Sequence, residues 1–346
     1  MGKDEIGSKR PKPPTRRRTA ADPVLRPVVV VSRCLEFAPC RYNGLMISSD
    51  IIRRLKDFVD FLPVCPEMEI GLGVPRDPIR VIEKSGQRRL IQPATGRDCT
   101  LEMERFADRF LSGLEEVDGF ILKSRSPSCG LKDVKVYPGS ESKLSPSTGK
   151  GIGFFGEKVL NRFPGLAIED EGRLESLEIR EHFLSRLWAL ADLRAVGRTG
   201  RMEALVAFHS RHKFQLMAAS QKELRSLGRI VANAEPKPWK QVFKEYASEF
   251  QTALSRRPRF TANINVLMHA LGYFKNGLSP AEKRFFLNRL EAYRRGRLPL
   301  SGLLDIMRSW IIRFGQSYLA EQSFFQPFPE ELFDLSDSAK GRRQMN

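Results

Sequence analysis

The chain has 346 residues, enough for two domains that each bury a core. With 41% hydrophobic and 29% charged residues, it excludes collagen-like, coiled-coil and wholly disordered architectures. Its apolar stretches, such as 28–31, fall far short of the roughly 18 residues a spanning helix needs. The net charge of +17 is unevenly placed. Residues 1–27 net +5, residues 28–190 are neutral, residues 191–322 carry 23 basic against ten acidic side chains, and residues 323–346 net −1. A nucleic-acid partner is therefore expected on the later part of the chain, and no membrane is expected. The polar, basic N-terminal stretch has no apolar signal core, and five cysteines are an odd number for a disulfide framework. A cytoplasmic location follows as the expectation, leaving metal binding, catalysis or plain burial for the thiols.

In chain order, residues 1–27 carry Lys9-Arg10, Pro13-Pro14 and Arg16-Arg17-Arg18 with almost no apolar partner, the composition of a disordered basic arm. From residue 28 short β-branched or apolar runs alternate with helical patterns. Buried strands are expected over 28–32, 61–64, 120–122 and 166–168, with helices over 48–60, 101–117 and 156–162. Residues 79–83 and 89–92, joined through Ser85-Gly86, read as an inserted hairpin, and 139–153 as a mobile loop. That alternation predicts an α/β domain over 28–172, a Rossmann-like, mostly parallel sheet with helices on its faces. Helical spacing then takes over at 176–195, 201–219, 237–255, 262–275, 280–295 and 300–318, predicting an all-helical domain over 173–322 without internal repeats. The tail, 323–346, has Phe324, Phe325, Phe328 and Phe333 to pack on an existing domain, and otherwise frays.

Three cysteines lie just past the carboxyl ends of three expected strands: Cys34, Cys65 and Cys129, separated by 31 and 64 residues. In an open parallel sheet those ends form one crevice, so residues this far apart can converge there. Pro66 and Pro127 stiffen two of the loops, and Gly130 permits a close backbone approach. Three thiolates without a fourth make a poor structural zinc site but suit an iron–sulfur cluster whose open iron faces substrate. Spacing alone leaves inert burial open as the alternative.

The surrounding residues carry a resemblance. Ser32-Arg-Cys-Leu, Cys40-Arg-Tyr-Asn-Gly44, Cys65-Pro-Glu67 and Ser126-Pro-Ser-Cys-Gly130, in this order over about 28–170, resemble the thiouracil desulfidase family. Phe208-His-Ser-Arg-His-Lys-Phe214, Asn265-Val-Leu-Met-His-Ala-Leu-Gly-Tyr-Phe-Lys275 and Tyr293-Arg-Arg-Gly296 look like the YbgA-like helical domain often fused behind it. The fused architecture is similar to bacterial desulfidases acting on 4-thiouridine in transfer RNA. The resemblance implies a [4Fe-4S] cluster with Cys34, Cys65 and Cys129 as ligands. Cys40 is a close alternative by position, but the family accepts Val at the matching place. Cys99 lies outside every motif and is expected to be inert.

Exchanging C=S for C=O needs no net electrons: thione plus water gives carbonyl plus hydrogen sulfide. The reaction needs a soft Lewis acid for the departing sulfur, a base to direct water and a proton donor. Glu67, two residues after Cys65, is placed to be the base, against a plain helix-start carboxylate as the alternative. Ser126 is the expected hydroxyl for proton relay, with Ser128 as runner-up; either could instead cap the loop. Arg41, Tyr42, Lys123 and Ser124 are expected to line the substrate pocket. In the helical part His209, Arg211, His212, Lys213, His269 and Lys275 are the expected RNA contacts, with Tyr273 available for stacking or core packing. His209 and His212 stand three residues apart but have no acid or cysteine in sequence to make a metal site. The expected activity is thus hydrolytic desulfuration of a thiouridine in transfer RNA, with no DNA required. A desulfidase of free thiouracil or another small thioamide, and a nucleic-acid-binding protein with a structural or redox-sensing cluster, are the rival readings. The oligomeric state is not legible.

Overall fold

The computed structural model describes residues 25–139 and 146–333. Residues 1–24 of the expected arm, 140–145 of the expected loop and 334–346 of the tail lie outside them. The first part of the chain runs β1 (Val28–Ser32), α1 (Asp50–Leu55), β2 (Asp60–Val64), α2 (Pro66–Glu69), β3 (Arg80–Lys84), β4 (Gln87–Gln92) and β5 (Arg97–Asp98). It continues through α3 (Thr100–Ser112), β6 (Gly119–Leu122), β7 (Val134–Pro138), β8 (Gly149–Gly151), α4 (Phe154–Arg162) and β9 (Ala167–Asp170).

Four strands form a fully parallel sheet in the order β2-β1-β6-β9. Because strands buried on both faces need no alternation, β1 can be four valines followed by a serine. Val29, Val31 and Ile121 pack with Ile51, Ile52 and Leu55 of α1, while Val30, Phe120 and Leu122 meet Met103 and Phe106 of α3 and Phe155 of α4. The chain leaves β1 toward β2 on one side, and β6 and β9 lie on the other. The strand order therefore reverses at β1/β6, the place where open sheets of this class bind ligands at the carboxyl ends. Helices α1 and α3 are shorter than the expected 48–60 and 101–117, since the chain must turn before re-entering the sheet at Asp60 and Gly119.

A second sheet, in the order β5-β4-β3-β7-β8, adds Val81, Leu90, Val134 and Val136 to the core shared with α3 and α4. The expected hairpin is its β3–β4 pair, turning through Ser85 and Gly86 at φ 51° and 75°, the conformation that matches strand twist. The stretch 139–153 is not only loop: Gly149–Gly151 pairs antiparallel with β7. Its Gly-Lys-Gly sequence carries no strand signal, and pairing with an already ordered neighbour supplies what propensity lacks.

The rest is helical: α5 (Leu177–Thr199), α6 (Met202–Arg211), α7 (Lys213–Ala219), α8 (Gln221–Ala232) and α9 (Trp239–Ala253). Then follow α10 (Phe260–Leu271), α11 (Pro280–Arg294), α12 (Leu300–Arg313) and α13 (Ser317–Ala320). The single helix expected over 201–219 breaks at His212, and that over 300–318 breaks at Gly315 (φ 58°). Helix α8 was not anticipated; Ser220 caps it by accepting the Glu223 N–H. Among the described residues no helix is long and apolar enough to cross a membrane.

Helix α5 changes where the domains divide. Phe183, Leu184, Leu187, Trp188 and Leu190 belong to the core against the parallel sheet, whereas Ala189, Leu193 and Val196 belong to the helical core with Phe208 and Phe250. Arg194 reinforces the sheet side. Its guanidinium donates to Asp118, 2% exposed at the start of β6, at 2.8–3.2 Å, and to the carbonyl of Arg26. A division at 172/173 would strip one face of the sheet, so α5 serves both domains. The tail likewise binds both: Phe324 and Phe325 sit in the helical core, and Phe328 packs on Trp188 with ring centroids 6.4 Å apart.

Candidate active site

Three of the four parallel strands deliver residues to one cavity of about 360 Å³ at their carboxyl ends. β1 ends in Ser32 and is followed by Cys34, after β2 come Cys65 and Glu67, and after β6 the segment from Lys123 to Cys129. β9 supplies Glu171 just behind the wall. The volume lies at the lower end of the range for small-ligand sites, about 300–1,000 Å³.

Cys34, Cys65 and Cys129 are buried, unpaired thiols on this wall. Burial pushes Cys34 up to about 12, with Cys65 adding to the rise. Burial likewise holds Cys129 well above the ordinary thiol value, against a lowering hydrogen bond with Ser32, while Cys34, Cys65 and Glu67 raise it further. These thiols sense one another, so any cation bound among them displaces protons. Cys40 shares the wall and its thiol also rises to about 12, by burial and then by its contact with Cys65. Cys99 stands apart in the core at the start of α3. Among the described residues, no three of His, Cys, Asp and Glu are grouped to hold a single metal ion. A cluster gives each thiolate a different iron, so its ligands ring a small volume instead of closing on one point. Cys34, Cys65 and Cys129 line one and the same cavity.

Glu67 is held from both sides. Arg76 donates from Nε and Nη2 to Oε2 at 2.9 and 2.7 Å, and the Ser128 hydroxyl donates to Oε1 at 3.0 Å. Arg76 also donates to the carbonyls of Gly73 and Cys40, and its backbone N–H to that of Tyr42. It thus ties the Cys40–Tyr42 loop to α2. The two candidate hydroxyls separate: Ser128 is fully buried behind Glu67, whereas Ser126 lines the cavity. The Ser126 Oγ accepts the backbone N–H groups of Ser128 and Cys129 at 3.2 and 3.1 Å, which orients it and leaves its own proton to donate.

Lys123 and Ser124 form a second polar group with Glu171. The Ser124 hydroxyl and N–H donate to the two Glu171 oxygens at 2.7 Å each, and Lys123 Nζ donates to Glu171 and, at 2.8 Å, to Ser124 Oγ. Arg41 and Tyr42 lie on the wall, the guanidinium 5.6 Å from the Tyr42 ring centre.

The Cys129 loop is held by backbone. The first N–H groups of α4 donate to loop carbonyls: Phe154 to Pro127, Phe155 and Gly156 to Ser128, with Gly153 donating to Gly130. This contact requires glycine, because a Cβ at Gly156 would stand 2.7 Å from the Gly130 oxygen and 2.8 Å from that of Cys129. Gly156→Ala is expected to displace the loop and cost about 1–3 kcal/mol of stability in a denaturant melt. An unchanged midpoint would show that the loop yields freely.

None of the six expected RNA contacts lines this cavity. Lys213, His269 and Lys275 are exposed on the helical part, near Tyr273, whose ring stacks on Tyr318 at 5.7 Å. His209 is half-buried and its ring meets the Tyr246 hydroxyl at 3.2 Å. His212 and Arg211 both meet Asp192. His212 is 3% exposed and meets Asp192 and Gln215 at 2.9 and 2.7 Å, and Arg211 donates to the same Asp192 oxygen. Burial would raise Asp192, but the His212 hydrogen bond and the Arg211 charge outweigh it and hold the carboxyl below its usual value.

Sequence reasoning missed Arg76, Glu171 and Ser32. Glu171 had a signal, since it is the first residue after the fourth strand. Arg76 sits in an irregular loop and had none.

Comparison with known proteins matches two separate parts of the chain. Residues 29–171 match the family model described as 2-thiouracil desulfurase, and residues 213–329 match one described as a protein of unknown function, DUF1722. The uncharacterized protein YbgA of Escherichia coli (strain K12) is 30% identical over 150 residues, which are 42% of this chain and 88% of that protein. The uncharacterized protein YbbK of Bacillus subtilis (strain 168) is 36% identical over 132 residues, 36% of this chain and 85% of that protein. A solved structure, the [4Fe-4S]-dependent thiouracil desulfidase TudS, is 28% identical and covers 43% of this chain and 93% of its own, with a TM-score of 0.34. Matched part by part along its length, the chain belongs to the 2-thiouracil desulfurase family through its α/β portion and to the DUF1722 family through its helices.

Proposed function

We propose that the chain is a desulfidase that exchanges C=S for C=O in a thiolated pyrimidine of transfer RNA, by hydrolysis and without net electron transfer. The observation that carries this reading is the convergence of Cys34, Cys65, Cys129 and Glu67 on one cavity at the carboxyl ends of the parallel strands. A [4Fe-4S] cluster held by Cys34, Cys65 and Cys129 would supply the soft Lewis acid that sulfide needs as a leaving group. The chain's own residues do the rest. Glu67, oriented by Arg76 and Ser128, takes the proton of a water directed at the pyrimidine carbon. Ser126, its oxygen fixed by two amides, gives a proton to the ring or to the departing sulfur. Lys123, Ser124, Arg41 and Tyr42 orient the ring and its substituents. The charge surplus of residues 191–322, with Lys213, His269 and Lys275 exposed, supports RNA docking by the helical part.

Single Cys→Ser variants at Cys34, Cys65 and Cys129, purified without oxygen, are expected to lose most iron and acid-labile sulfide together with sulfide release from a thiopyrimidine. Cys40→Val and Cys99→Ser should keep both. Full iron content and turnover in the Cys129→Ser protein would overturn the reading.

A further inference from the structure

A second cavity, of about 500 Å³, adjoins the first and shares Tyr42, Pro78, Ile79, Arg125 and Pro127 with it. It opens over the second sheet, where β3, β7 and β8 bring Arg80, Lys135 and Lys150 to its wall. Lys135 is the exposed position of β7, between buried Val134 and Val136, so the pleat aims it outward. Arg80 lies 4.6 Å from the centre of the Tyr137 ring. Lys150 is exposed and pairs with Asp133 at 3.0 Å. The two cavities together are lined by eight basic side chains and two acidic ones, Glu67 and Asp133. The segment 28–190 is neutral as a whole, so this excess is local to the groove leading from the active site. Its size suits about one small-ligand unit such as a nucleotide, and Tyr42 and Tyr137 offer rings to a neighbouring base.

We propose that this groove binds the phosphodiester and adjoining nucleotide beside the target thiopyrimidine, so that the α/β domain itself grips the strand while the base enters the first cavity. The inference rests on the desulfidase reading for the identity of that base, but the groove is testable by binding alone. A strand whose target base is extruded must be held on both sides of it, and a basic groove next to the pocket does so without reading sequence.

The test uses the full chain and a fluorescein-labelled thiolated oligonucleotide of about six residues, with anisotropy for binding and sulfide release for turnover. Lys135→Glu with Lys150→Glu is expected to weaken binding about tenfold and to shallow the plot of log affinity against log salt by about 1.4 units, at ~0.7 for each of the two lost single-strand contacts. Turnover of free thiouracil should stay within about twofold of wild type, because neither lysine lines the first cavity. Lys135→Gln with Lys150→Gln, a milder pair, should show the same direction if the reversal impairs folding. Unchanged affinity and salt slope in both pairs would overturn the groove, whatever the turnover. A wild-type protein that binds the strand through these lysines yet releases no sulfide from any thiopyrimidine would overturn the desulfidase reading instead.

Discussion

Glu67→Gln is expected to keep the fold and the iron content and to lower kcat on a thiopyrimidine by roughly 10²–10⁴, the usual scale for losing a general base. The amide is nearly isosteric. Its oxygen can accept from Arg76, and its nitrogen can donate to Ser128, whose hydroxyl accepts as readily as it donates. What disappears is the carboxylate's capacity to take a proton. Arg76 gives a companion test because its guanidinium holds the Glu67 carboxylate while its side chain also lines the cavity. Arg76→Lys keeps the charge but replaces a two-pronged contact with a single point, so kcat should fall about tenfold with KM little changed. Arg76→Met, which leaves Glu67 with only Ser128, should fall further. Wild-type kcat in the Glu67→Gln protein, with full iron, would remove Glu67 from the mechanism. Equal losses in KM and kcat for Arg76→Lys would mean that Arg76 meets the substrate rather than positioning the carboxylate.

The parallel sheet was legible because strands buried on both faces write themselves as apolar runs, as in the four valines of β1 and in Gly-Phe-Ile-Leu of β6. The cavity followed from topology alone: residues at the ends of neighbouring parallel strands meet, so Cys34, Cys65, Cys129 and Glu67 could be brought together on paper. What sequence could not show was the carriage of those residues. Arg76 reaches Glu67 from an irregular loop, and the α4 backbone that holds the Cys129 loop is chemically the same in every helix. The second sheet was half visible. Its hairpin has a turn signal, but β7 ends in Pro138 and β8 is Gly-Lys-Gly, which read as loop until a partner strand is present. Helix α8 did carry a signal, Ser220 followed three residues later by Glu223, ahead of Leu224, Leu227 and Val231. Periodicity found α5, but a helix wheel does not say which neighbour each face meets.

A chain ending at Gly172 is expected not to fold, whereas one ending at Gly200 should. The difference is α5. Phe183, Leu184, Leu187, Trp188 and Leu190 cover the sheet face carrying Val29, Val31 and Ile121, and at about 1.5–3 kcal/mol per buried side chain they contribute roughly 8–15 kcal/mol. A whole domain has a net stability of only about 5–15 kcal/mol, so loss of this helix is not survivable by the remainder. The shorter chain also loses Arg194, the partner of buried Asp118. Gly200, at φ 67°, ends α5 in the left-handed conformation suited to a helix terminus, so the longer chain closes on an intact cap. It exposes Leu193, Val196 and Ala189 of the helical core, together with the part of the sheet-side core that Phe328 and Leu332 cover. Circular dichroism and a denaturant melt decide the folding half of the prediction: a cooperative transition in the 1–172 chain would refute it. The functional half follows from where the charge lies. The 1–200 chain retains the whole first cavity and should release sulfide from a free thiopyrimidine, but without the exposed cations of α7 and the α10 region its activity on intact thiolated transfer RNA should fall by at least about tenfold at physiological salt. Equal activity of the 1–200 and full-length chains on that RNA would assign docking to the α/β domain alone.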